Sequence, residues 1–270
     1  MNSRDNNMIG KTEKYILDEV EKKVAIHMTL IDPEKVTEDE ALYLSKECEK
    51  CGTSAIMIGG STIVSTAHLD SVIKAIKNEV KIPVILFPNN ITGLSQYADA
   101  VWFMSLLNSA DPYFIIGVQV LAAPLIKKFH LETIPLGYLI VGEGGTAAVI
   151  GKANPIPYNK PELSAAHALA AQYLGMHFVY LEGGSGVNIP VPAEMVHLVK
   201  NVIDVPLIVG GGIRTGKQAE KLVSAGADIL VTGTIFEQTG KKFLRDKIVE
   251  ILEGLKEGVK NRHINKMEEK

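Results

Sequence analysis

The strongest constraint on the fold is an alternation between short apolar runs rich in β-branched residues and longer amphipathic segments. Such alternation predicts repeated βα units, and strands that are apolar throughout are typical of a parallel sheet buried on both faces. Eight units are the number in a TIM (β/α)8 barrel, so we expect the α/β class and this barrel. The eight predicted strands are "VAIHMTLID", "SAIMIGG", "VILFPN", "AVWFMSLLN", "IPLGYLIVGE", "FVYLEGG", "PLIVGGG" and "DILVTGT".

The segments between these runs predict the outer helices. We expect one TIM-barrel domain over residues 1–270, because no linker or low-complexity tract divides the chain. An additional N-terminal helix is expected at about 11–23, and a frayed tail at about 262–270. Only "NITGLSQYADA" separates the third and fourth strands, too little for a helix and two loops. The third helix is therefore predicted to be missing or replaced by a loop.

Composition argues against several classes of protein. Apolar residues make up 46% and charged residues 22%, which is ordinary for a globular chain. The net charge of −3 gives no reason to expect a nucleic-acid ligand. The longest uncharged apolar run, residues 112–126, is shorter than the about 20 residues that a membrane span needs. The first 23 residues lack the apolar core of a secretory leader, so we expect a cytoplasmic protein with no transmembrane segment.

Cysteine and histidine do not indicate a metal centre. Cys48 and Cys51 form a lone C-x-x-C at the end of a predicted helix, and a structural zinc site needs four ligands. Two reduced thiols are the preferred interpretation. The seven histidines are scattered and form no H-E-x-x-H pattern.

Glycine-rich turns follow predicted strands seven and eight. Bare backbone and helix N-termini at these two positions form the usual phosphate site of TIM barrels. Gly211-Gly212 and Gly233-Thr234 are thus expected to bind a phosphate monoester, with simple tight turns as the alternative.

The stretch "YLEGGSG" (residues 180–186) ends strand six, next to this phosphate site. Its glycines and Ser185 can close a third side of the site. Glu182 would repel a phosphate, so we expect it to face a neutral part of the ligand, accepting hydrogen bonds or removing a proton. A structural ion pair with a lysine or arginine is the alternative.

At the end of strand one, Asp32 could bind a metal ion on a second phosphate group, or equally cap a turn.

Together, "TLIDPEK", "MIGGST", "FMSLLNS", "YLEGGSG", "VGGGIRTGKQAEKLVSAGAD" and "VTGT" resemble the geranylgeranylglyceryl phosphate synthase family, specifically its group II branch. The resemblance covers nearly the whole barrel with the motifs in order. That family also lacks the third barrel helix.

The resemblance implies a Mg2+-dependent prenyltransferase of membrane ether-lipid biosynthesis. Such an enzyme joins the C3 hydroxyl of sn-glycerol 1-phosphate to geranylgeranyl diphosphate and releases diphosphate. Asp32 and Ser61 would hold Mg2+, and Glu182 would be the catalytic residue that helps deprotonate the hydroxyl. The residues implied to hold sn-glycerol 1-phosphate are Tyr180, Leu181, Glu182, Gly183, Gly184, Ser185, Gly186, Gly211, Gly212, Gly233 and Thr234.

Two features leave alternatives open. Some relatives in the other branch carry a lysine where this chain has Leu30. Lys35 and Lys152 are therefore candidates to neutralise the diphosphate, although a solvated surface lysine is the default interpretation for both. The segment "YFIIGVQVLAAPLI" is apolar on almost every side. It can form a homo-oligomer interface (dimer or hexamer), the wall of a prenyl tunnel, or ordinary core.

Two other functions fit parts of the pattern. Another phosphate-binding TIM barrel, such as an FMN-dependent or thiamine-phosphate-synthase-like enzyme, would share the glycine-rich turns. A non-catalytic phosphate-ligand sensor would share them too, but it needs neither Glu182 nor Asp32.

Overall fold

The computed structural model describes residues 9–60, 65–234 and 239–268. Eight parallel strands form a closed barrel in chain order, with the last strand pairing with the first, as the alternation predicts. The strands are β1 (Ile26–Ile31), β2 (Ala55–Ile58), β3 (Val84–Leu86), β4 (Ala100–Leu106), β5 (Glu132–Ile140), β6 (Phe178–Glu182), β7 (Leu207–Gly210) and β8 (Ile229–Thr232).

Helices connect the strands on the outside of the barrel. They are α1 (Lys11–Lys23), α2 (Glu38–Cys51), α3 (Thr66–Glu79), α4 (Val118–Phe129), α5 (Gly145–Ile150), α6 (Pro161–Tyr173), α7 (Ala193–Lys200), α8 (Gly216–Ser224) and α9 (Lys241–Glu268). Several begin where local side-chain chemistry dictates. At the start of α2, for example, Thr37 and Glu40 form a reciprocal capping box.

The connection between β3 and β4 has a single 3-10 turn, Ile91–Gly93, in place of a helix. The predicted loss of the third helix is thus confirmed. Side chains hold this short connection in place: Asn90 Oδ1 accepts the Thr92 N–H at 2.7 Å, and the Asp99 carboxylate accepts the Val84 N–H at 2.8 Å.

Core side chains form layers inside and outside the barrel wall. Because neighbouring residues of a strand point to opposite faces, Trp102 and Phe178 lie inside the barrel, where their rings meet edge to face at 5.2 Å. Val101 and Val179 point outward and pack against helices. The barrel interior is therefore filled, and space for a ligand is found at its rim.

The C-terminal segment differs from the expected frayed tail at 262–270. Helix α9 continues through Glu268. No glycine or proline interrupts residues 259–268, and the Arg262 guanidinium donates two hydrogen bonds of 3.1 Å to the buried Asp228 carboxylate. This ion pair fixes the helix to the barrel beyond the predicted end.

Two further local features differ from expectation. The apolar segment after β4 begins with a π-helical turn, Tyr113–Gly117, before it continues as α4. The wide turn is supported by Ser105, whose hydroxyl donates to the Ile115 carbonyl at 2.6 Å. The short helix α5, after β5, carries no strong periodic signal and was not predicted.

Candidate active site

One cavity of about 310 Å3 opens at the carboxyl ends of the strands. Most of the predicted site residues line it: Asp32, Tyr180, Glu182, Gly184, Ser185, Gly186, Gly211, Gly212, Gly233 and Thr234. Leu181 is different, because it points outward into the layer between strands and helices. Gly183 also lies behind the lining and donates its N–H to the Gly210 carbonyl at 3.0 Å. Ser61 lies outside the described residues.

The glycine-rich ends of β6, β7 and β8 meet at one side of this cavity. The backbone is left-handed at Gly184 and Gly211, with φ of +113° and +85°. Ser185 Oγ and Thr234 Oγ1 are 3.0 Å apart and join the first loop to the third. We call these loops, residues 183–186, 211–212 and 233–234, the phosphate cup.

The close approach between the loops after β6 and β7 requires a glycine at position 211. A Cβ at this position would lie 2.6 Å from the Gly184 nitrogen and 2.8 Å from Glu182 Oε1. No side chain fits at such distances. The loops after β6 and β7 can therefore approach each other only because Gly211 has no side chain, and this close approach shapes the cup.

Arg214 adds a positive charge to the cavity lining near the cup. Its guanidinium donates to the carbonyls of Gly186 and Val187 at 3.2 and 3.4 Å. It thus joins the loop after β7 to the loop after β6. Sequence reasoning did not single out this arginine, although its position directly after "GGGI" was a usable signal.

Glu182 is buried at the end of β6, with 6% of its surface exposed. Its Oε1 accepts the Gly184 N–H at 2.6 Å. Burial raises the pKa of the carboxyl, and the hydrogen bonds from Gly184, Tyr180 and Tyr138 act in the opposite direction. Among the described residues, no lysine or arginine forms an ion pair with Glu182, so the alternative of a structural ion pair finds no support there.

Three aromatic rings surround this carboxylate. Tyr138 of β5 lies beside Tyr180 of β6 in the parallel register, with ring centroids 5.3 Å apart. Phe87, which follows β3, contacts both rings. Burial, and then the negative charge of Glu182, raise the pKa of both tyrosines well above the ordinary value. Both phenols therefore remain protonated, and hydrogen bonding from them lowers the pKa of Glu182.

Asp32 lies where β1 ends at the cavity. Its Oδ1 accepts the Glu34 N–H at 3.1 Å and caps the 3-10 turn Pro33–Lys35, while its Oδ2 is 3.2 Å from Lys35 Nζ. The Gly60 backbone packs directly against the carboxylate, with no room for a Cβ. Asp32 therefore caps a turn, as one of the two sequence interpretations expects, and it also lines the cavity, while its binding of a metal ion stays a prediction.

An apolar arm of the cavity extends from the rim toward the place of the missing third helix. The arm is formed by Leu94, Val101, Phe103, Phe114, Val118, Ala122 and Ile126. One face of α4 thus lines the cavity. Its other face is in solvent, where Val120 and Leu121 are 62% and 56% exposed, and Ile116 of the preceding π-helical turn is 59% exposed.

The two lysine candidates differ in their position. Lys35 lines the cavity beside Asp32. Lys152 does not line it and instead pairs with Asp111 at 2.8 Å, with its side chain 64% exposed. Of the two, only Lys35 is placed to meet a ligand in this cavity.

The closed barrel, the phosphate cup and the buried glutamate beside it define a phosphate-binding enzyme of the TIM-barrel class. Comparison with known sequences identifies the family: residues 17–255 match the PcrB family, and the chain belongs to it. The resemblance seen in the motifs is confirmed.

Proteins named geranylgeranylglyceryl phosphate synthase are similar to this chain over most of their length. The protein of that name from Thermofilum pendens is 52% identical over 255 residues, 94% of this chain and 99% of its own. That from Pyrococcus horikoshii is 55% identical over 230 residues, covering 85% and 90%. The crystal structure of (S)-3-O-geranylgeranylglyceryl phosphate synthase from Thermoplasma acidophilum, in complex with sn-glycerol-1-phosphate, superposes with a TM-score of 0.87. It is 40% identical and covers 93% of this chain and all of its own. In the described part of the chain, no helix is long and apolar enough to cross a membrane.

Proposed function

We propose that this protein is a prenyltransferase that joins the C3 hydroxyl of sn-glycerol 1-phosphate to geranylgeranyl diphosphate. The observation that carries the proposal is one continuous cavity. It brings the phosphate cup, Glu182 and Asp32 around a common space, from which the apolar arm leads away. Relatives at 52% and 55% identity bear the name of this activity, and a solved relative holds sn-glycerol 1-phosphate.

The cup suits the phosphate of the glycerol substrate. Loops without side chains allow backbone N–H groups to approach an anion closely, and Ser185 and Thr234 add hydroxyl groups. Arg214 contributes positive charge at the same side. Glu182 directly precedes the first loop of the cup in the chain, so a glycerol hydroxyl within a few bonds of the phosphate falls within its reach.

Glu182 can accept the proton of the C3 hydroxyl. The lone pair of the C3 oxygen forms the new bond to C1 of the prenyl chain, while the electron pair of the breaking C1–O bond leaves with diphosphate. The hydroxyl proton passes to the carboxylate. Because C1 becomes cationic as diphosphate departs, the group that positions the nucleophile matters more than base strength. Burial nevertheless raises the pKa of Glu182 and makes it a better proton acceptor.

The carboxylate of Asp32 is the kind of oxygen ligand that a magnesium site uses. Mg2+ takes one or two carboxylates and completes its shell with substrate phosphates and water, and the Asp32 carboxylate lines the cavity. Mg2+ would neutralise the charge that develops on diphosphate. Ser61, implied as a second ligand, lies outside the described residues. The Mg2+ requirement therefore remains a prediction.

The apolar arm suits the C20 hydrocarbon tail, since it is lined by aliphatic and aromatic side chains. The tunnel-wall interpretation of the apolar segment is therefore preferred for one face of α4. Its exposed face supports the expected homo-oligomer. Oligomeric state and cytoplasmic location also remain predictions.

The test uses purified protein, Mg2+, sn-glycerol 1-phosphate and radiolabelled geranylgeranyl diphosphate, with organic extraction of the product. We expect an ether-linked lipid phosphate that is Mg2+-dependent and lost in Glu182→Ala and Asp32→Asn. Tyr173→Phe, changed at an exposed position of α6, should retain full activity. Binding of sn-glycerol 1-phosphate without any product from prenyl donors of C15 to C35 would refute the transferase assignment.

A further inference from the structure

Two cations line the cavity among the residues that the structure describes, Lys35 and Arg214. They follow different strands. Arg214 comes after β7 and is bonded to the loop after β6, so its charge belongs to the phosphate cup. Lys35 comes after β1, beside the carboxylate of Asp32. Since the proposed reaction uses one phosphate monoester and one diphosphate, this separation assigns one cation to each.

In the ion pair between Lys35 and Asp32, the aspartate is held firmly by its surroundings and the lysine is not. The Asp32 carboxylate accepts the Glu34 N–H and packs against Gly60, and its side chain is only 13% exposed. The Lys35 side chain is 50% exposed at the end of a flexible stem. The pair can therefore separate by movement of the lysine alone, which leaves Asp32 in place for another cation.

We propose that Lys35 binds the diphosphate of the prenyl substrate and changes partners to do so. Without diphosphate, its ammonium group neutralises Asp32. When a divalent cation engages Asp32, Lys35 is released from the carboxylate and donates to the diphosphate oxygens that enter with the cation. This inference rests on the proposed function, because it takes the second ligand of the cavity to be a diphosphate.

The charges favour this exchange. A prenyl diphosphate carries up to three negative charges, and one divalent cation beside the Asp32 carboxylate leaves a net negative site. Lys35 reduces that excess. As the C1–O bond breaks, its electron pair goes to the diphosphate, and the ammonium group stabilises the charge that its oxygens gain.

The exchange predicts effects of opposite sign when the lysine is removed. Lys35→Met keeps most of the unbranched apolar stem and deletes the charged ammonium group. A divalent cation alone should then bind more tightly, because it no longer competes with an ammonium group 3.2 Å from Asp32. Diphosphate should bind more weakly in the presence of the cation, because a charged hydrogen-bond donor is lost. If the role of Lys35 were purely structural, its removal would weaken the binding of both the cation and the diphosphate, or of neither.

Binding measurements test the proposal without relying on turnover. Mn2+ would be titrated by electron paramagnetic resonance, and inorganic diphosphate with Mg2+ by calorimetry. For Lys35→Met we expect about two- to tenfold tighter Mn2+ binding and about 10- to 100-fold weaker diphosphate binding. Lys35→Arg should recover much of the diphosphate affinity. Thermal unfolding would confirm that each variant is folded.

Lys152→Met is the matched control, because Lys152 also pairs with an aspartate but lies off the cavity. It should bind both ions as the parent protein does. Diphosphate binding unchanged in Lys35→Met, or both ions weakened together, would overturn the exchange. If the parent protein forms no ether product while the two binding shifts appear as expected, the proposed function fails and the role of Lys35 in diphosphate binding stands.

Discussion

Tyr138 of β5 and Glu182 of β6 are close enough that hydrogen bonding from the tyrosine hydroxyl lowers the pKa of the carboxyl, which burial raises. The parallel register places Tyr138 beside Tyr180, one inward position before Glu182. Both side chains therefore point into the cavity, and the phenol lies against the carboxylate that is expected to meet the glycerol hydroxyl. Tyr138 thus orients Glu182 and affects its protonation.

Tyr138→Phe should shift the pH dependence of the reaction. The hydrogen bond from Tyr138 lowers the pKa of Glu182, which burial raises. Without that bond the pKa of Glu182 rises further, so the reactive carboxylate is lost at a higher pH as the solution is acidified. We expect the acid limb of the kcat/KM profile to move to higher pH, with activity at neutral pH about fivefold lower. Tyr173→Phe should leave the profile unchanged, and an acid limb that does not move in Tyr138→Phe would show that the bond has no such role.

Gly211→Ala should abolish binding of sn-glycerol 1-phosphate. The new Cβ would collide with the Gly184 nitrogen and Glu182 Oε1, which forces the loops of the cup apart. Gly175→Ala is a close control, since φ is +84° there against +85° at Gly211, and a Cβ at Gly175 meets nothing within 4 Å. Both variants bear the cost of a left-handed alanine, roughly 1 kcal/mol. Calorimetry should show loss of affinity in Gly211→Ala alone; equal affinities in the two variants would contradict the described cup.

The barrel, the glycine-rich cup and the position of Glu182 could be predicted from the sequence. Each depends on local patterns, namely alternating apolar runs and the residues at the ends of consecutive strands. Tyr138 was missed for a physical reason. In a strand that is apolar on both faces, the sequence does not tell which residues point inward, and the register between β5 and β6 is set by tertiary packing. The end of α9 was misjudged because the ion pair between Arg262 and Asp228 joins residues distant in the chain.

His27 should make the stability of the protein decrease on acidification. The ring lies buried between Thr53 and Thr232, with hydrogen bonds of 2.9 and 2.7 Å, and burial lowers its pKa to about 3. The unfolded chain binds a proton near pH 6.5. Stability from the neutral ring is therefore complete above that pH and is lost as pH falls toward 3, by about 1.4 kcal/mol per pH unit.

Urea unfolding at pH 7.0 and 5.5 measures this effect. In His27→Gln, the decrease in unfolding free energy between the two pH values should be smaller by about 1 kcal/mol than in the parent protein. His263→Gln, at an exposed position of α9, should show the parent behaviour. Equal decreases in all three proteins would mean that His27 titrates normally in the folded state.

Arg262→Met should destabilise the barrel without affecting the site. The substitution removes one of two cations from Asp228, which is 4% exposed and retains Lys200 at 2.7 Å. We expect a loss of about 1–3 kcal/mol in the unfolding free energy, less than for a buried charge left with no partner. Lys260→Met, on the same helix but 69% exposed, should lose less than about 0.5 kcal/mol. Similar losses in both variants would contradict the role assigned to Arg262.

The most direct test of the central claim, that Glu182 positions and deprotonates the glycerol hydroxyl, is the single-turnover rate of Glu182→Gln with both substrates saturating. The amide preserves the shape of the side chain but can neither carry negative charge nor accept the proton. We predict a rate lower by about 100- to 10,000-fold, with sn-glycerol 1-phosphate affinity within about tenfold, because the phosphate is held by the cup. A rate close to that of the parent protein would contradict the role of Glu182.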